Sequence, residues 1–475
     1  MARINTNVAS LVAQRGLTGS QKNLNETLQR LSSGLRINRG ADDPAGLIAS
    51  EGLRSEISGI HQGIDNSTRA SNVISTAEGA LSEVASLLLN IKSLVVQAAN
   101  TGALSPEEIK ANQLQLDSAV ESITRISNTT TFAGLNLLNG NLDYVTSGVA
   151  NTAITALHIN QANFGTATSI PVNVNVITSA QTAALEFRAS SITSSVTLEI
   201  TGNNGVEVLT FTSGTAASAI AFAVNGVADT TGVTADFVNG NQASGVAFHS
   251  SGYGTKSFVS VTAQSGSFST VDTTGANKTR TEGRDAVATI NGSVTVGDGL
   301  NLKLNTNTLD VDLTLDSSVG LGQTSFAITG GGALFQLGAQ VSSNQQVNVG
   351  VGSIAASKLG DNEVGFLNDL VTGGTATLVG GNVAAASRII ERAISQVAVQ
   401  RGRLGAFEKN TLDTNINSLQ VALENVTSSE SKIRDADFAY ETAQLTRSQI
   451  LTQAGTSVLA TANSTPQSVL SLLQG

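Results

Sequence analysis

The chain has 475 residues, 40% of them hydrophobic but only 4% aromatic, with no Trp, no Cys and a formal net charge of −10 at pH 7. That length fits roughly three domains, and the scarcity of rings argues against aromatic-lined ligand pockets. The acidic balance argues against non-specific nucleic-acid binding, which needs a basic footprint, and against electrostatic docking on anionic membrane. The lack of Cys excludes a disulfide framework, thiolate metal sites and Cys nucleophiles.

The N-terminus, MARINTNVASLVAQRGL, has no apolar h-region and is not a Sec signal. No apolar run approaches the ~20 residues of a membrane span. Neither nucleic acid nor membrane is expected as a partner.

Residues 4–35 read as a helix, with Ile4, Val8, Leu11, Leu24, Leu28, Leu31 and Leu35 at steps of mostly three or four. Gly40-Ala41-Asp42-Asp43-Pro44-Ala45-Gly46 breaks it. Then comes the strongest periodicity of the chain: Ile74, Ala77, Leu81, Val84, Leu88, Ile91, Val95 and Ala98 alternate steps of three and four. That is a heptad seam, the pattern of nearly parallel packed helices. A loop at Asn100–Ala103 ends it. Ser105-Pro106-Glu107-Glu108 opens the next helix as a capping box with Pro at the first position. Ile109, Leu116, Val120 and Ile123 form its buried stripe, and the short loop implies an antiparallel hairpin.

From about 141 the character changes. Only 11 residues from 141 to 280 are Asp, Glu, Lys or Arg. Val172–Val176, Val196–Ile200 and Leu302–Leu315 read as strands, and the Asn-Gly pairs at 225–226, 239–240 and 291–292 suit two-residue hairpin turns. Helical spacing resumes near Val383. Ile390, Ile394, Val397 and Leu404 make one stripe, and Leu412, Ile416, Leu419, Leu423 and Val426 a second. Residues 435–463 carry Phe438, Leu445, Ile450 and Val458, and the uncharged end holds Leu472 and Leu473.

The expected architecture is α+β: a long helical coiled-coil or bundle formed by the N- and C-terminal segments, with an inserted β-rich variable region. We expect a first helix at 1–45, half of a helical bundle at 46–140, a β-rich insert of two modules at 141–332, the other half at 333–435 and a last helix at 436–475. Paired ends cannot bury every apolar side of two helices. The remainder is expected to pack on other copies, with the ends loosely ordered in the single chain. A contact that propagates must be head-to-tail.

Asn5-Thr6-Asn7, Leu31–Asn38 (LSSGLRIN) and Asp42–Gly46 (DDPAG) closely resemble the N-terminal signature of bacterial flagellins. Thr131–Gly140 (TFAGLNLLNG) resembles the segment closing their N-terminal helical half. Gln400–Ala406 (QRGRLGA) and Ile433–Ala439 (IRDADFA) resemble their C-terminal signature. Arg284–Gly292 with Gly297–Leu315 looks like a repeat inserted in flagellins and hook-associated proteins, and Thr231–Phe268 resembles a related unit.

The resemblance implies a subunit of the flagellar filament, exported unfolded through a type III apparatus with its chaperone and polymerised beneath a cap. It implies as partners other copies of the chain, the cap and the hook-associated junction proteins. No cofactor, metal or catalytic group is expected. A hook–filament junction protein and a secreted adhesin with borrowed ends are the alternatives. Flagellins seen by the Toll-like flagellin receptor present an Arg on the long helix within a stretch ending Leu-Ala-Val-Gln. Here Asn90 stands in that place, with Leu94 and Gln97 matching, so the resemblance implies weakened recognition.

No HExxH accompanies His61, His158 or His249. Asp310, Asp312 and Asp316 lack EF-hand spacing and read as a solvated strand face. Thr329–Ala333 (TGGGA) reads as a turn leading back to the helices. Arg401, Arg403 and Arg434 are expected in ion pairs of the helical shell.

Overall fold

The computed structural model describes residues 6–165, 167–306, 308–362 and 364–473, with side chains to 465 at the C-terminal end. The helices are α1 (Val8–Ser33), α2 (Pro44–Ala98), α3 (Pro106–Thr129), α4 (Ala217–Gly226), the single turn α5 (Ala228–Thr231), α6 (Val383–Phe407), α7 (Thr414–Arg434) and α8 (Phe438–Leu473). With the strands between them, the fold is α+β, as expected. Two compact units divide the chain: residues 1–68, 336–341 and 412–475 form one, and 69–335 with 342–411 the other.

In the second unit the heptad seam is the helical core. From Ile74 to Ala98 all eight of its apolar positions are buried, Leu81, Val84, Leu88 and Ile91 completely. α3 buries Leu116, Val120 and Ile123, and α6 buries Ile390, Val397 and Leu404. Ion pairs Glu78–Arg401 (3.2 Å) and Lys92–Glu391 (3.2 Å) set α2 and α6 antiparallel. The capping box is as read: Ser105 accepts from the Glu108 amide, and the Glu108 carboxylate accepts from the Ser105 amide at 2.8 Å. One stretch of α2 is long and apolar enough to cross a bilayer. That stretch is 28% buried within the protein, its buried residues being seam positions.

The insert has two hydrophobic cores, one nested in the other. The outer module uses β3 (Tyr144–Ser147), β4 (Ile154–Ala162), β5 (Ile170–Thr178), β13 (Val287–Ile290), β14 (Ser293–Val296), β15 (Asn301–Asn305), β16 (Leu309–Leu315) and β17 (Gly322–Gly331). These make a five-stranded sheet, β14-β13-β5-β17-β3, and a three-stranded one, β15-β16-β4. The inner module has β6 (Thr182–Phe187), β7 (Val196–Thr201), β8 (Val206–Phe211), β9 (Val233–Phe237), β10 (Val246–Tyr253), β11 (Phe258–Ser265) and β12 (Arg280–Glu282), with α4 packed on its core. Its sheets run β6-β10-β9 and β12-β11-β7-β8. Alternation explains the burial: in β5 Val172, Val174 and Val176 face inward while Asn173 and Asn175 face out.

Several expectations need correction. Leu302–Leu315 is two strands, β15 and β16, paired antiparallel. Of the Asn-Gly pairs only Asn291-Gly292 makes the two-residue hairpin, with φ of 49° and 84°. Asn225-Gly226 closes α4, where the Asn225 side chain bonds both backbone groups of Ala235. Asn239-Gly240 sits in a longer connection between β9 and β10. The C-terminal helical half begins later than 333. The described residues of 333–382 hold short strands, turns and two single-turn 3-10 helices (Ser343–Gln345 and Leu367–Leu370): the strands are β18 (Ala333–Gln336), β19 (Gln346–Val349), β20 (Gly360–Asp361) and β21 (Gly365–Phe366). A small hairpin of β1 (Thr131–Phe132) and β2 (Leu135–Asn136) follows α3. The TGGGA segment, expected as a turn, is instead the end of β17 (Thr329–Gly331) and the first residue of β18, with only Gly332 between the two strands. Gly331 and Gly332 have φ of 91° and 78°, and a Cβ on Gly332 would lie 2.0 Å from Asn348 Oδ1.

Candidate assembly surface

α1 starts because Asn7 caps it, its side chain accepting from the Ser10 amide at 3.0 Å. It stops at Gly34, which takes the left-handed φ of 72° that ends helices without a Cβ penalty. The next residues cross the segment before α8. The Arg36 amide donates to Arg434 O (2.7 Å), the Ala436 amide to Gly34 O (2.9 Å) and Arg36 Nη2 to Ile433 O (2.6 Å). The LSSGLRIN and IRDADFA signatures are therefore two strands of one crossing.

The DDPAG motif has an equally local cause. Asp42 accepts from the Asn38 and Arg39 amides (3.0 and 2.9 Å), and these bonds to its charged form hold its carboxyl below the usual range. Asp43 accepts from the Gly46 amide at 2.9 Å, at the start of α2. A Cβ on Gly46 would sit 2.4 Å from Asp43 Oδ2 and 2.8 Å from Ile37 Cδ1, so only Gly admits the buried Ile37.

α1 and α8 then lie antiparallel. Arg30 pairs with Glu441 (3.2 Å), Leu17 abuts Gly455, Ser10 Oγ bonds Asn463 Oδ1 (2.7 Å), and Asn7 Nδ2 donates to Ala462 O (2.8 Å). What this pairing buries is small and polar: Ser10, Thr27, Glu441 and Ser448. The apolar stripes remain outside. Val8, Leu11, Ile450 and Val458 are 58%, 55%, 63% and 57% exposed, and Leu28 and Phe438 are exposed too. Leu24, Leu31, Leu35 and Leu445 are half-buried. Ile4 and the side chains of Leu472 and Leu473 lie outside the described residues. In the structure α1 and α8 are paired by capping, polar register and the Leu17–Gly455 contact.

Elsewhere in this unit Asn415 Nδ2 donates to Ser67 Oγ (3.0 Å) and Leu337 O (2.9 Å). Leu412 is buried, while Ile416, Leu419 and Leu423 are only half-buried. α7 as a whole has no fully buried residue. In the other unit Asn90 and Gln97 are exposed and Leu94 half-buried, beside exposed Leu89 and Val96.

Arg434 pairs with Glu51 (2.8 Å) and Arg401 with Glu78, as expected. Arg403 instead faces Asp310 and Asp312 at longer range, and its burial lowers its pKa. Those two aspartates are not a solvated face. Asn160 Nδ2 donates to both (3.1 and 2.9 Å), and Lys303 pairs with Asp312 at 3.3 Å. The alternating pattern of β16 showed that they share a side, but not that side chains of the flanking strands β4 and β15 pair with them there. Among the described residues no group of three or more His, Cys, Asp or Glu is placed to hold a metal.

Two long helices that pair through polar side chains and display their apolar ones define a self-assembling structural protein. Family models agree at both ends: the bacterial flagellin N-terminal helical region matches residues 4–143 and the C-terminal helical region 387–473. A flagellin hook IN motif matches 197–252, within the inner module. It takes in part of Thr231–Phe268 and none of Arg284–Leu315. The chain is 31% identical to B-type flagellin of Pseudomonas aeruginosa and 29% identical to a flagellin of Salmonella typhimurium, covering 99% of each chain in both cases. A FlgL structure from Xanthomonas campestris covers 78% of this chain and 98% of its own, at 14% identity and a TM-score of 0.27, too loose a superposition to carry an argument. The chain belongs to the bacterial flagellin family and is a structural subunit of the flagellar filament.

Proposed function

We propose that the chain polymerises head-to-tail through the exposed apolar stripes of α1 and α8, after export in unfolded form, into a filament outside the cell. The observation that carries this reading is the inverted burial of the terminal pair: Ser10, Thr27, Glu441 and Ser448 inside, Val8, Leu11, Ile450 and Val458 outside. Water-exposed apolar area is worth about 25 cal/mol per Å² when covered. Stripes running along two helices supply a surface that neighbouring copies can cover at every step. A head-to-tail contact whose rotation does not close on itself generates an open helical filament. Leu24, Leu28, Leu31, Leu35, Phe438, Leu445, Ile4, Leu472 and Leu473 belong to the same proposed contact, and Ile416, Leu419 and Leu423 to the surrounding helical shell. In this reading the export apparatus with its chaperone, the filament cap and the hook-associated junction proteins are the other partners. Asn90, in place of the receptor-binding Arg, makes recognition by the Toll-like flagellin receptor weak.

Electron microscopy of the full chain on filament seeds, beside a variant lacking 1–40 and 436–475, tests the assembly. Long tubes from the full chain alone are expected. Equal assembly of the truncated chain, or no growth of the full chain on seeds, overturns the reading.

A further inference from the structure

The inner module carries an open groove of about 420 Å³ beside the edge strand β12. It lies in a region where charge is scarce, yet it gathers Asp272, Lys278, Arg280, Glu282 and Arg284. Four of these charges pair with one another within the protein. Asp272 accepts from the Thr274 and Ala276 amides (2.9 and 3.0 Å) and pairs with Lys278 at 3.0 Å. The Arg280 guanidinium lies 3.8 Å over the Phe258 ring and 3.5 Å from Glu282.

Arg284 is different. It is exposed, its Nε donates to Ser179 O at 3.4 Å, and it has no carboxylate within ion-pair distance among the described residues. The backbone fixes it at the groove. Gln181 and Arg284 exchange both amide bonds (2.8 and 2.9 Å). Gly283 passes so close to Gln181 O and Gly254 O that a Cβ would lie 2.4 and 2.5 Å from them. A planar guanidinium with unused donors, in a polar depression, is a site for the paired oxygens of a carboxylate or sulfate.

The rest of the lining selects among anions. Thr182, Thr273 and Gln181 offer hydroxyls and an amide, and Glu282 offers an acceptor, the complement of sugar hydroxyls. The groove has no large apolar side chain to anchor a peptide. No aromatic side chain is among its lining residues, and the Phe258 ring is already covered by Arg280, so it gives no stacking platform for a nucleobase. We infer that this groove binds acidic glycans, with Arg284 taking the carboxylate or sulfate and Thr182, Gln181 and Glu282 the hydroxyls. A weak site suffices on a polymer, because every subunit repeats it.

The test uses the full chain as free subunits, so its result does not depend on whether they polymerise. Binding is measured by titration against three short oligosaccharides: hyaluronan, which carries uronate alone, chondroitin sulfate, which adds sulfate, and neutral maltohexaose. Measurable binding of either acidic probe and none of the neutral one is expected, weakening as salt rises. Arg284→Ala should lower affinity by about tenfold. Glu282→Gln should tighten it for the acidic probes by removing a like charge. Lys256→Ala, a cation of the same module paired with Asp298 outside the groove, should leave it unchanged. Preference for chondroitin sulfate over hyaluronan identifies sulfate as the ligand group, and equal binding identifies the carboxylate. No binding of either acidic probe, equal binding of maltohexaose, or an Arg284→Ala variant that keeps its circular dichroism and full affinity overturns the inference.

Discussion

The α2 seam and the α1–α8 pair are written in the same code and do opposite things. Both show apolar residues at steps of three and four. In the seam those residues vanish from the surface, Leu81 and Leu88 completely, while in the terminal pair the fully buried side chains are Ser10, Thr27, Glu441 and Ser448, and Val8, Leu11, Ile450 and Val458 face water. Periodicity says that a helix has an apolar face; it does not say whose surface that face meets. A face that meets its own chain is a core. A face left exposed along a pair of helices, in a chain whose family builds filaments, is an interface in waiting.

Substitutions at matched apolar positions sharpen this contrast most. Leu88→Ala removes a fully buried side chain and should cost about 2–5 kcal/mol in chemical denaturation of the subunit. Leu11→Ala and Ile450→Ala should stay within about 0.5 kcal/mol of the parent in the same measurement, yet raise the concentration needed for seeded growth by about tenfold or more. If the terminal variants destabilise the free subunit as much as Leu88→Ala does, the two stripes are not different in kind.

A smaller effect separates polar register from apolar packing. Glu441 is buried, and Arg30, partly exposed, is its ion-pair partner. Arg30→Ala leaves that carboxylate uncompensated and should cost about 1–3 kcal/mol, the usual penalty reduced for the solvent that reaches Arg30. The loss should appear as faster amide exchange in α1 and α8 and leave the α2 seam protected. Uniform acceleration through both helices and seam would mean that the pair is no separate element.

How much of this was legible follows from what each signal measures. The Ser105 cap, the seam and the onset of α6 at Val383 depend on residues within a turn or two of one another, and all three were readable. Asn225-Gly226 and Asn239-Gly240 carried the right conformational preference, but which neighbours use a turn is settled by sheet pairing, which no short window contains. The same holds for Asp310 and Asp312, whose partner Asn160 is some 150 residues away in sequence. The terminal stripes were visible, but not that Ser and Thr would form the inner contact. A polar residue among apolar ones reads as the outside of a helix until its partner's polar residue is seen opposite.

The gentlest test of the comparison is acid. Glu51 is an exposed carboxylate of the terminal unit, and its bonds to Arg434 and then Arg54 hold its pKa below the ordinary Glu value. A carboxyl depressed on folding contributes stability that is complete above its unfolded pKa of about 4.3 and disappears as pH falls through the lower folded value. Asp42, depressed by its bonds to the Asn38 and Arg39 amides, has the same sign. Mild acid should therefore loosen the crossing that joins the two signatures while the α2 seam, whose apolar core does not titrate, stays folded. Exchange measured between pH 5 and pH 3, windows set by those two groups at about 1–2 units around their usual values, should show protection lost first at Gly34, Arg36 and Ala436. Glu51→Gln should flatten part of that dependence without touching the seam. A seam that opens at the same pH as the crossing would show that the two regions share one stability, and that the inverted burial of the ends has no thermodynamic consequence for the single chain.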